Sequence, residues 1–349
     1  MLHPVCPPCA LHPFTMKTLL TCTALALCLH TAHAQGLPDA PGPGTALPGG
    51  AMPGAVLAGG APRKADTRFV RTQHLDLRYA NVSDAQRLDL YLPNQGSAPY
   101  PLIIEIHGGG FFLGDKSGPI TPMLQGLHRG YAVASIQYRL SGEARFPAAV
   151  HDVKAAIRYL RANAQRFGLD AQRFAVWGAS AGGNLAAMAA LSADVAALSD
   201  PALGHADVSD AVQAAVDWFG PLDFTTMDAE FAALGKRPAM GATNTPGSPE
   251  SRYLGQTIGT DAARPLAQAA NPLTYLSVRA PAMLIQHGTE DRNVPLTQSA
   301  TLAARMAELL GPNRVVFDRL EGAGHGGAAF ETPENTQRVL DFLDRALQR

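Results

Sequence analysis

The amino-acid sequence predicts an α/β fold in which helices flank a mostly parallel central sheet, and three observations predict it. From residue 101 onward, short runs that are apolar almost throughout recur along the chain, as strands buried on both faces do. Segments with helical spacing of apolar residues separate these runs, and such alternation favours parallel pairing. The chain is 46% hydrophobic, which is ample for a buried core. We therefore expect residues 67–349 to form one domain.

The strands are predicted in two groups. Residues 67–77 and 86–92 alternate apolar with polar positions, as half-exposed antiparallel strands at the start of a sheet would. The later runs are apolar nearly throughout and predict buried strands. These runs are residues 101–106, 131–138, 173–177, 212–219, 280–287 and 313–320.

Helices are predicted between and after these strands. Val150, Val153, Ile157, Leu160 and Phe167 recur at helical spacing, which predicts an amphipathic helix that packs its apolar stripe on the sheet. An alanine-rich segment at 184–190 is a strong helix former, and a late helix over about 334–348 closes the domain. Between the strands at 212–219 and 280–287 lies an insertion of about residues 223–276.

The N-terminal region has the features of a secretory signal peptide over residues 16–34. Lys17 supplies a positive charge, residues 19–29 are apolar, and Ala-His-Ala at 32–34 resembles a cleavage site. The apolar run is too short for a permanent membrane span, so we expect no stable membrane insertion. The sequence thus predicts a secreted or periplasmic protein that is cleaved after Ala34.

The segments on either side of this signal are predicted to lie outside the folded domain. Residues 1–15 make a poor start to an export signal, so we expect Met16 to be the true initiator. Residues 35–66, rich in Pro, Gly and Ala, are expected to form a disordered linker. All four cysteines precede the cleavage site, so the mature chain would contain no disulfide. They are Cys6, Cys9, Cys22 and Cys28.

The sequence Gly-Ala-Ser-Ala-Gly at 178–182 matches the GxSxG nucleophile elbow. It lies between a predicted strand and a predicted helix, which is the context that the motif requires and which would expose the hydroxyl of Ser180 above the sheet. The alternative is a structural turn, because so short a pattern arises by chance in a chain with 34 glycines. A serine hydroxyl is a poor nucleophile, so the motif predicts catalysis only if a base, an acid and an oxyanion site accompany it.

A candidate oxyanion site follows the strand at 101–106, where the chain reads His-Gly-Gly-Gly at 107–110. The backbone amides of Gly109, Gly110 and Ala181 could together bind the negative oxygen that develops during acyl transfer. The alternative, a phosphate-binding loop, is not favoured, since neither the P-loop spacing nor GxGxxG is present.

Candidates for the acid and the base lie later in the chain. Asp291 follows the strand at 280–287, and His325 lies on a glycine-flanked loop after the last strand. The order Ser180, Asp291, His325 is the one used by α/β-hydrolases. Other residues could in principle compete. For the acid they are Glu290, Asp217, Asp223 and Asp318, while His107, His151 and His287 are interpreted as structural.

These motifs together resemble the α/β-hydrolase esterases that have an HGGG oxyanion loop, the hormone-sensitive-lipase-like group. Within that group the chain is similar to bacterial feruloyl and acetyl xylan esterase-like enzymes. The resemblance covers residues 68–349. It depends on His-Gly-Gly-Gly-Phe at 107–111, Tyr-Arg-Leu-Ser at 138–141, Gly-Ala-Ser-Ala-Gly-Gly at 178–183, Asp-Trp-Phe-Gly-Pro at 217–221 and Gly-His-Gly at 324–326.

The resemblance implies an α/β-hydrolase fold and a serine carboxylesterase that needs neither metal nor cofactor. The substrate would be a small-molecule or polysaccharide-linked ester of short-chain acyl, acetyl or feruloyl type. In this fold an insertion such as residues 223–276 often forms a lid. Its apolar residues would either line an acyl pocket or pack onto the domain. They are Phe224, Met227, Phe231, Leu234 and Met240.

Three other functions are compatible with parts of this pattern. An arylformamidase or amide hydrolase uses the same loop and residues but is typically intracellular. A secreted peptidase is also possible, although the sequence contains nothing like a propeller domain. A catalytically inactive binding module commonly lacks the serine or histidine, whereas both are present here. A net charge of -1 gives no reason to expect nucleic acid as a partner. Neither the particular ester nor the oligomeric state is predicted.

Overall fold

The computed structural model of the chain describes residues 64–118 and 120–348, and within them eight strands form one mixed sheet. The sheet has the order β1-β2-β4-β3-β5-β6-β7-β8. Pairing is antiparallel between β1 and β2 and between β2 and β4, and parallel elsewhere, which confirms the predicted fold class. The strands are β1 (Thr72–Arg78), β2 (Arg87–Leu92), β3 (Tyr100–Ile106), β4 (Ala132–Ile136), β5 (Leu169–Ala179), β6 (Ala214–Trp218), β7 (Ala282–Gly288) and β8 (Val315–Leu320).

Helices cover both faces of this sheet. The α-helices of the described residues are α1 (Thr121–Leu124), α2 (Ala148–Ala162), α3 (Ala164–Phe167), α4 (Ala181–Leu191), α5 (Met227–Ala233), α6 (Pro249–Leu254), α7 (Ala263–Ala269), α8 (Leu296–Leu310), α9 (Ala328–Glu331) and α10 (Pro333–Ala346). The long helix predicted from Val150 to Phe167 is wrong at its end. It stops at Ala162, and Phe167 belongs to the separate turn α3.

The central strands are buried on both sides, as their continuous apolar runs predict. Ile103, Trp177 and Val216 belong to one buried cluster, which also contains residues of α1 and α10. Their neighbours along the strands point to the opposite face. Ile104 and Val176 there are equally inaccessible, and α2, α4 and α8 contact strands of the sheet. The sheet is thus a rigid platform between two layers of helices.

Six strand ends meet at one edge of this platform, because β3, β4, β5, β6, β7 and β8 run in parallel. The loops that leave this edge carry the glycines at 108–110, the elbow at Ser180, Asp291 and His325. Loops at the carboxyl edge of a parallel sheet are the usual location of ligand sites in α/β proteins.

The insertion predicted at 223–276 contains α5, α6, α7 and a short 3₁₀ turn, Pro272–Tyr275. Phe224, Met227 and Phe231 are each 1% exposed, so these three side chains pack into the domain. Leu234, by contrast, is 40% exposed. Movement of this segment as a lid stays a prediction.

The predictions made for the signal peptide at 16–34, for the segment before it and for nearly all of the linker at 35–66 lie outside the described residues. No helix within 64–118 and 120–348 combines the length and the apolar character that crossing a bilayer requires.

Candidate active site

Ser180 lies at the turn between β5 and α4, at the carboxyl edge of the sheet. Its backbone has φ 57° and ψ −123°, a conformation that non-glycine residues rarely adopt. The amide of Ser180 donates a 2.8 Å hydrogen bond to the carbonyl of Trp218 at the end of β6. The turn is therefore fixed from the neighbouring strand, and the side chain of Ser180 remains half-buried at the surface of the edge.

The elbow tolerates only small residues because its backbone packs closely against the end of β3 and against itself. A Cβ atom added to Gly182 would lie 2.0 Å from the carbonyl oxygen of Ile106. A Cβ on Gly178 would lie equally close, at 2.0 Å, to the carbonyl oxygen of Gly182. These backbone approaches explain the two outer glycines of the GxSxG sequence.

The structure brings together the three residues predicted as nucleophile, base and acid. The Nε2 atom of His325 lies 2.8 Å from Ser180 Oγ, and its Nδ1 atom lies 2.8 Å from Asp291 Oδ2. With Nδ1–H donating to the carboxylate, Nε2 is free to accept the serine proton. Ser180, His325 and Asp291 thus have the connectivity of a Ser-His-Asp triad, although they come from three different loops.

Asp291 is held as a buried carboxylate by four hydrogen-bond donors. It is 2% exposed, and Oδ1 accepts hydrogen bonds from the amides of Asn293 and Val294 at 2.7 and 3.0 Å. Oδ2 faces both His325 and His287, the latter at 3.2 Å. Burial opposes ionisation, but the hydrogen bonds of His287 and His325 outweigh it and hold the pKa of Asp291 below its ordinary value. The residue therefore remains an acceptor for His325 at neutral pH.

Among the described residues, none of the competing carboxylates forms a hydrogen bond with His325, and each has another partner. Glu290 is exposed and forms an ion pair with Lys236, and Asp223 accepts from Thr225 within its own turn. Asp318 accepts a 3.0 Å hydrogen bond from Gln286. Asp217 is buried beside the elbow, where burial raises its pKa to about 6 despite the hydrogen bond from the amide of Gly220.

Of the histidines interpreted as structural, His287 has a closer relation to the site than its position as a strand end suggests. It is inaccessible to solvent, and its Nε2 lies between the carbonyl of Val294 at 3.0 Å and Asp291 Oδ2 at 3.2 Å. Both neighbours are acceptors, so Nε2 carries the proton, and Ser299 Oγ lies 2.7 Å from Nδ1. In the sequence His287 lies four residues before Asp291, but this spacing alone did not predict that the two side chains are in contact.

The other two histidines differ in their surroundings. His107 is buried, stacks on Tyr138 at 4.3 Å and donates from Nε2 to Gln137 at 3.0 Å. Burial lowers the pKa of His107. His107 thus braces the loop that follows β3, whereas His151, in α2, makes one long contact of 3.4 Å with the carbonyl of Ala197.

The glycine loop after β3 presents unpaired backbone donors. In the described part of the chain, the amides of Gly109, Gly110 and Ala181 make no backbone hydrogen bond. Gly109 has φ 113°, and a Cβ there would lie 2.1 Å from the carbonyl oxygen of Leu113, so only glycine fits. These free amides are the groups predicted to stabilise an oxyanion.

A network of polar side chains anchors the far end of this loop to the sheet. Lys116 Nζ lies 2.8 Å from both carboxylate oxygens of Asp89 and 2.9 Å from Asp76. The Lys116 amide donates to the same Gln137 oxygen that accepts from His107. Pre-organised donors stabilise a developing charge without reorganising, so this rigidity favours the oxyanion role.

Phe219 contacts His325, and the sequence predicted no role for it beyond membership of the motif at 217–221. Its ring lies 4.6 Å from the ring of His325, and its backbone has φ 45° directly after β6. Phe330 packs edge-on against the other side of Phe219 at 4.6 Å. The imidazole is therefore restrained by an aromatic side chain as well as by Asp291.

Comparison with known protein families places the chain within one of them. A family model with the description BD-FAE matches residues 88–306, which is more than half of the chain. The chain belongs to the BD-FAE family. The BD-FAE match extends from β2 into α8, so it contains Ser180, Asp291 and the glycine loop. His325 lies beyond its end.

Individual relatives of this BD-FAE protein agree with that placement. The esterase LipQ of Mycobacterium tuberculosis is 30% identical over 70% of this chain, which spans 55% of LipQ. The chain thus spans about half the length of the curated relatives it matches. Among solved structures, a truncated carbohydrate esterase from gut microbiota is 28% identical with a TM-score of 0.71, covering 82% of this chain and 100% of its own.

A second solved structure covers much of the same domain. It is a bifunctional GH43-CE protein of Bacteroides eggerthii, 29% identical with a TM-score of 0.70, and it matches 79% of this chain and 35% of its own length. These likenesses confirm the predicted resemblance to HGGG-type esterases and the predicted α/β-hydrolase fold.

Proposed function

We propose that the protein is a serine carboxylesterase that acts through an acyl-enzyme intermediate. The observation that carries the proposal is the chain of 2.8 Å contacts from Ser180 through His325 to Asp291. The unpaired amides of the glycine loop lie at the same edge of the sheet. Relatives named as esterases support the same activity.

The proposed reaction has two halves. Ser180 Oγ attacks the ester carbonyl while His325 Nε2 takes its proton, and the amides of Gly109, Gly110 and Ala181 bind the oxyanion. Collapse of the tetrahedral intermediate breaks the bond to the alcohol, which leaves with the proton from His325. Water then attacks the acyl-serine ester with His325 again as base, and this releases the carboxylic acid and regenerates Ser180. Asp291 holds the imidazole in the tautomer that each step requires.

The substrate class is a proposal of the same kind. We place it among small-molecule or polysaccharide-linked esters with short-chain acyl, acetyl or feruloyl groups. A carbohydrate esterase of similar structure supports the polysaccharide-linked class. Release of acid from acetylated xylan and from methyl ferulate, measured beside p-nitrophenyl acetate, tests this range, and failure on all three substrates would exclude it.

Substitution of the nucleophile tests the activity itself. We expect Ser180→Ala to lower kcat on p-nitrophenyl acetate by at least about 10⁴-fold, because no other hydroxyl contacts His325 Nε2 in the described residues. Ser277→Ala, which changes a serine in the loop before β7, is the matched control and should retain wild-type turnover. Ester hydrolysis by purified Ser180→Ala at more than a hundredth of the wild-type rate would contradict the assignment.

Export is proposed from the N-terminal sequence alone. If residues 16–34 direct secretion and are removed, the protein recovered from the periplasm or medium of an expressing bacterium should begin at Gln35. Intact-mass measurement of the exported protein reads this end directly. A full-length chain confined to the cytoplasm would contradict the proposal.

A further inference from the structure

A cleft with a volume of about 530 Å³ opens beside the glycine loop. Its lining comes from four parts of the chain: Ala85 before β2, Phe112 after the glycine loop, the segment 137–145, and α6 with the glycine that ends it. The side chains that carry its chemistry are Phe112, Ser141, Glu143, Arg145 and Arg252.

Two contacts connect this cleft to the oxyanion loop. The ring of Phe112 packs against Gly110, so closely that a Cβ atom on Gly110 would lie 2.8 Å from Phe112 Cε1. On the other wall, the amide of Ser141 donates a 2.7 Å hydrogen bond to the carbonyl of Phe111. The cleft therefore adjoins the loop whose amides are predicted to bind the oxyanion.

Both arginines of the cleft are positioned by packing instead of by a carboxylate. The guanidinium of Arg252 lies 5.5 Å over the ring of Phe112. The side chain of Arg145 packs on Gly255, so closely that a Cβ atom on Gly255 would lie 2.2 Å from Arg145 Cδ. Within the described residues neither guanidinium forms a hydrogen bond or ion pair, whereas the nearby Arg139 lies 2.8 Å from Asp152.

We propose that this cleft is a subsite that binds a carboxylate group of the ester substrate through Arg145 and Arg252. Two arginines and one glutamate give the lining a net charge of +1, which matches a single carboxylate. A guanidinium binds a carboxylate with two parallel hydrogen bonds, and the ring of Phe112 offers an apolar face to the adjoining part of the substrate. This inference rests on the proposed esterase function, and it further specifies that the preferred ester carries a negative charge.

The carboxylate can belong to either side of the ester, so the test has two arms. On the acyl side, kcat/KM for mono-p-nitrophenyl glutarate is compared with that for p-nitrophenyl butyrate. On the alcohol side, acetylated methyl glucuronoside is compared with acetylated methyl glucoside. We expect a preference for the charged member in one arm, and that arm identifies the side that enters the cleft.

Arginine variants assign this preference to the cleft. Arg145→Gln and Arg252→Gln should each lower the ratio of charged to neutral kcat/KM by about 10-fold or more, mainly through KM. Arg166→Gln is the matched control, because Arg166 is also exposed and lies 5.0 Å over a phenylalanine ring, Phe167. Arg166 belongs to α3, which precedes the amino end of β5, whereas Ser180 follows its carboxyl end. Arg166→Gln should therefore leave the ratio unchanged.

Salt supplies a measurement on the unaltered protein, so the test does not depend on the folding of a variant. Raising KCl from 0.05 to 0.5 M should lower the wild-type ratio, since ions screen an arginine pair at the surface. Equal kcat/KM for the charged and neutral members in both arms would overturn the subsite. A ratio that stays unchanged in both arginine variants would do the same. In either case, hydrolysis of the neutral esters would still support the esterase function. Absence of hydrolysis of every ester would overturn the proposed function itself and the subsite with it.

Discussion

At the scale of single residues, the reactive geometry depends on a backbone approach that leaves no room for a side chain. Gly182 is the second residue of α4, two positions after Ser180, and faces the last residue of β3. An alanine methyl would meet the Ile106 carbonyl oxygen at 2.0 Å, and backbone on both sides prevents a local adjustment. The conflict would separate β3 from the elbow, and so displace the oxyanion loop from the nucleophile.

We therefore expect Gly182→Ala to destabilise the domain by at least about 2 kcal/mol and to reduce esterase activity in the fraction that folds. Urea unfolding followed by circular dichroism measures the first effect. Gly247→Ala is the matched control, because a Cβ at Gly247 would have no neighbour within 4 Å. Its free energy of unfolding should stay within about 1 kcal/mol of wild type. Equal stability of the two variants would show that the elbow relaxes more readily than its packing implies.

The sequence predicted the candidate catalytic residues that follow strands, but it did not predict the side chains that contact and position them. Ser180, Asp291 and His325 could be selected because each lies in a loop directly after an apolar run, and parallel strands bring such loops to one edge. The approach of His287 to Asp291 and the contact of the Phe219 ring with the tilted ring of His325 arise from side-chain packing between loops. No periodicity in the chain encodes these two contacts.

At the scale of elements, strong apolar runs predicted the strands, but their ends were set by local polar contacts. The chain leaves α2 at Asn163, whose side chain donates a 2.9 Å hydrogen bond to the carbonyl of Tyr159. Phe167 continues the apolar stripe in sequence, yet it packs from the short helix α3 beyond this break. The backbone amide of Asn163 donates to the same carbonyl at 3.0 Å, and apolar spacing alone could not show that the helix ends at this doubly bonded residue.

The insertion illustrates the same limit for larger elements. Its apolar residues were compatible with an acyl pocket or with packing, and sequence spacing does not distinguish these uses. In the structure, Phe224 packs edge-on against Phe111, the residue after the oxyanion glycines, at 6.0 Å. Glu230 of α5 accepts a 2.8 Å hydrogen bond from Gln298 of α8. The part of the insertion nearest the site is thus attached to the core domain through both apolar and polar contacts.

At the scale of the whole molecule, a buried acid in the central sheet links folding to pH. Glu105 of β3 is 4% exposed, and its Oε2 lies 2.5 Å from Ser135 Oγ on β4. Ser135 Oγ also donates to the carbonyl of Lys116 at 2.8 Å. A serine has one proton, so when Ser135 donates to Lys116 the first contact requires a protonated Glu105 as donor. Burial raises the pKa of Glu105 from 4.5 to about 8, which agrees with a neutral acid.

The sign of the resulting pH dependence follows from proton binding. Between pH 4.5 and about 8 the folded chain holds a proton on Glu105 that the unfolded chain has released, so stability falls as pH rises through this window. The loss is complete above about pH 8 and amounts to a few kcal/mol, on the order of 1.4 kcal/mol for each unit of pKa shift. Asp217 and Glu250, whose pKa values burial raises to about 6 and 7, add losses of the same sign.

Glu105→Gln should remove this one contribution, because an amide can still donate to Ser135 Oγ but has no proton to lose. We expect the variant to exceed wild type in Tm by several degrees at pH 9 and by much less at pH 5. Differential scanning calorimetry at pH 5, 7 and 9 measures the change. Glu308→Gln, at a side chain 68% exposed on α8, is the control and should follow the wild-type curve. Parallel curves for Glu105→Gln and wild type would mean that Glu105 is already ionised in the folded sheet, with Ser135 donating to it.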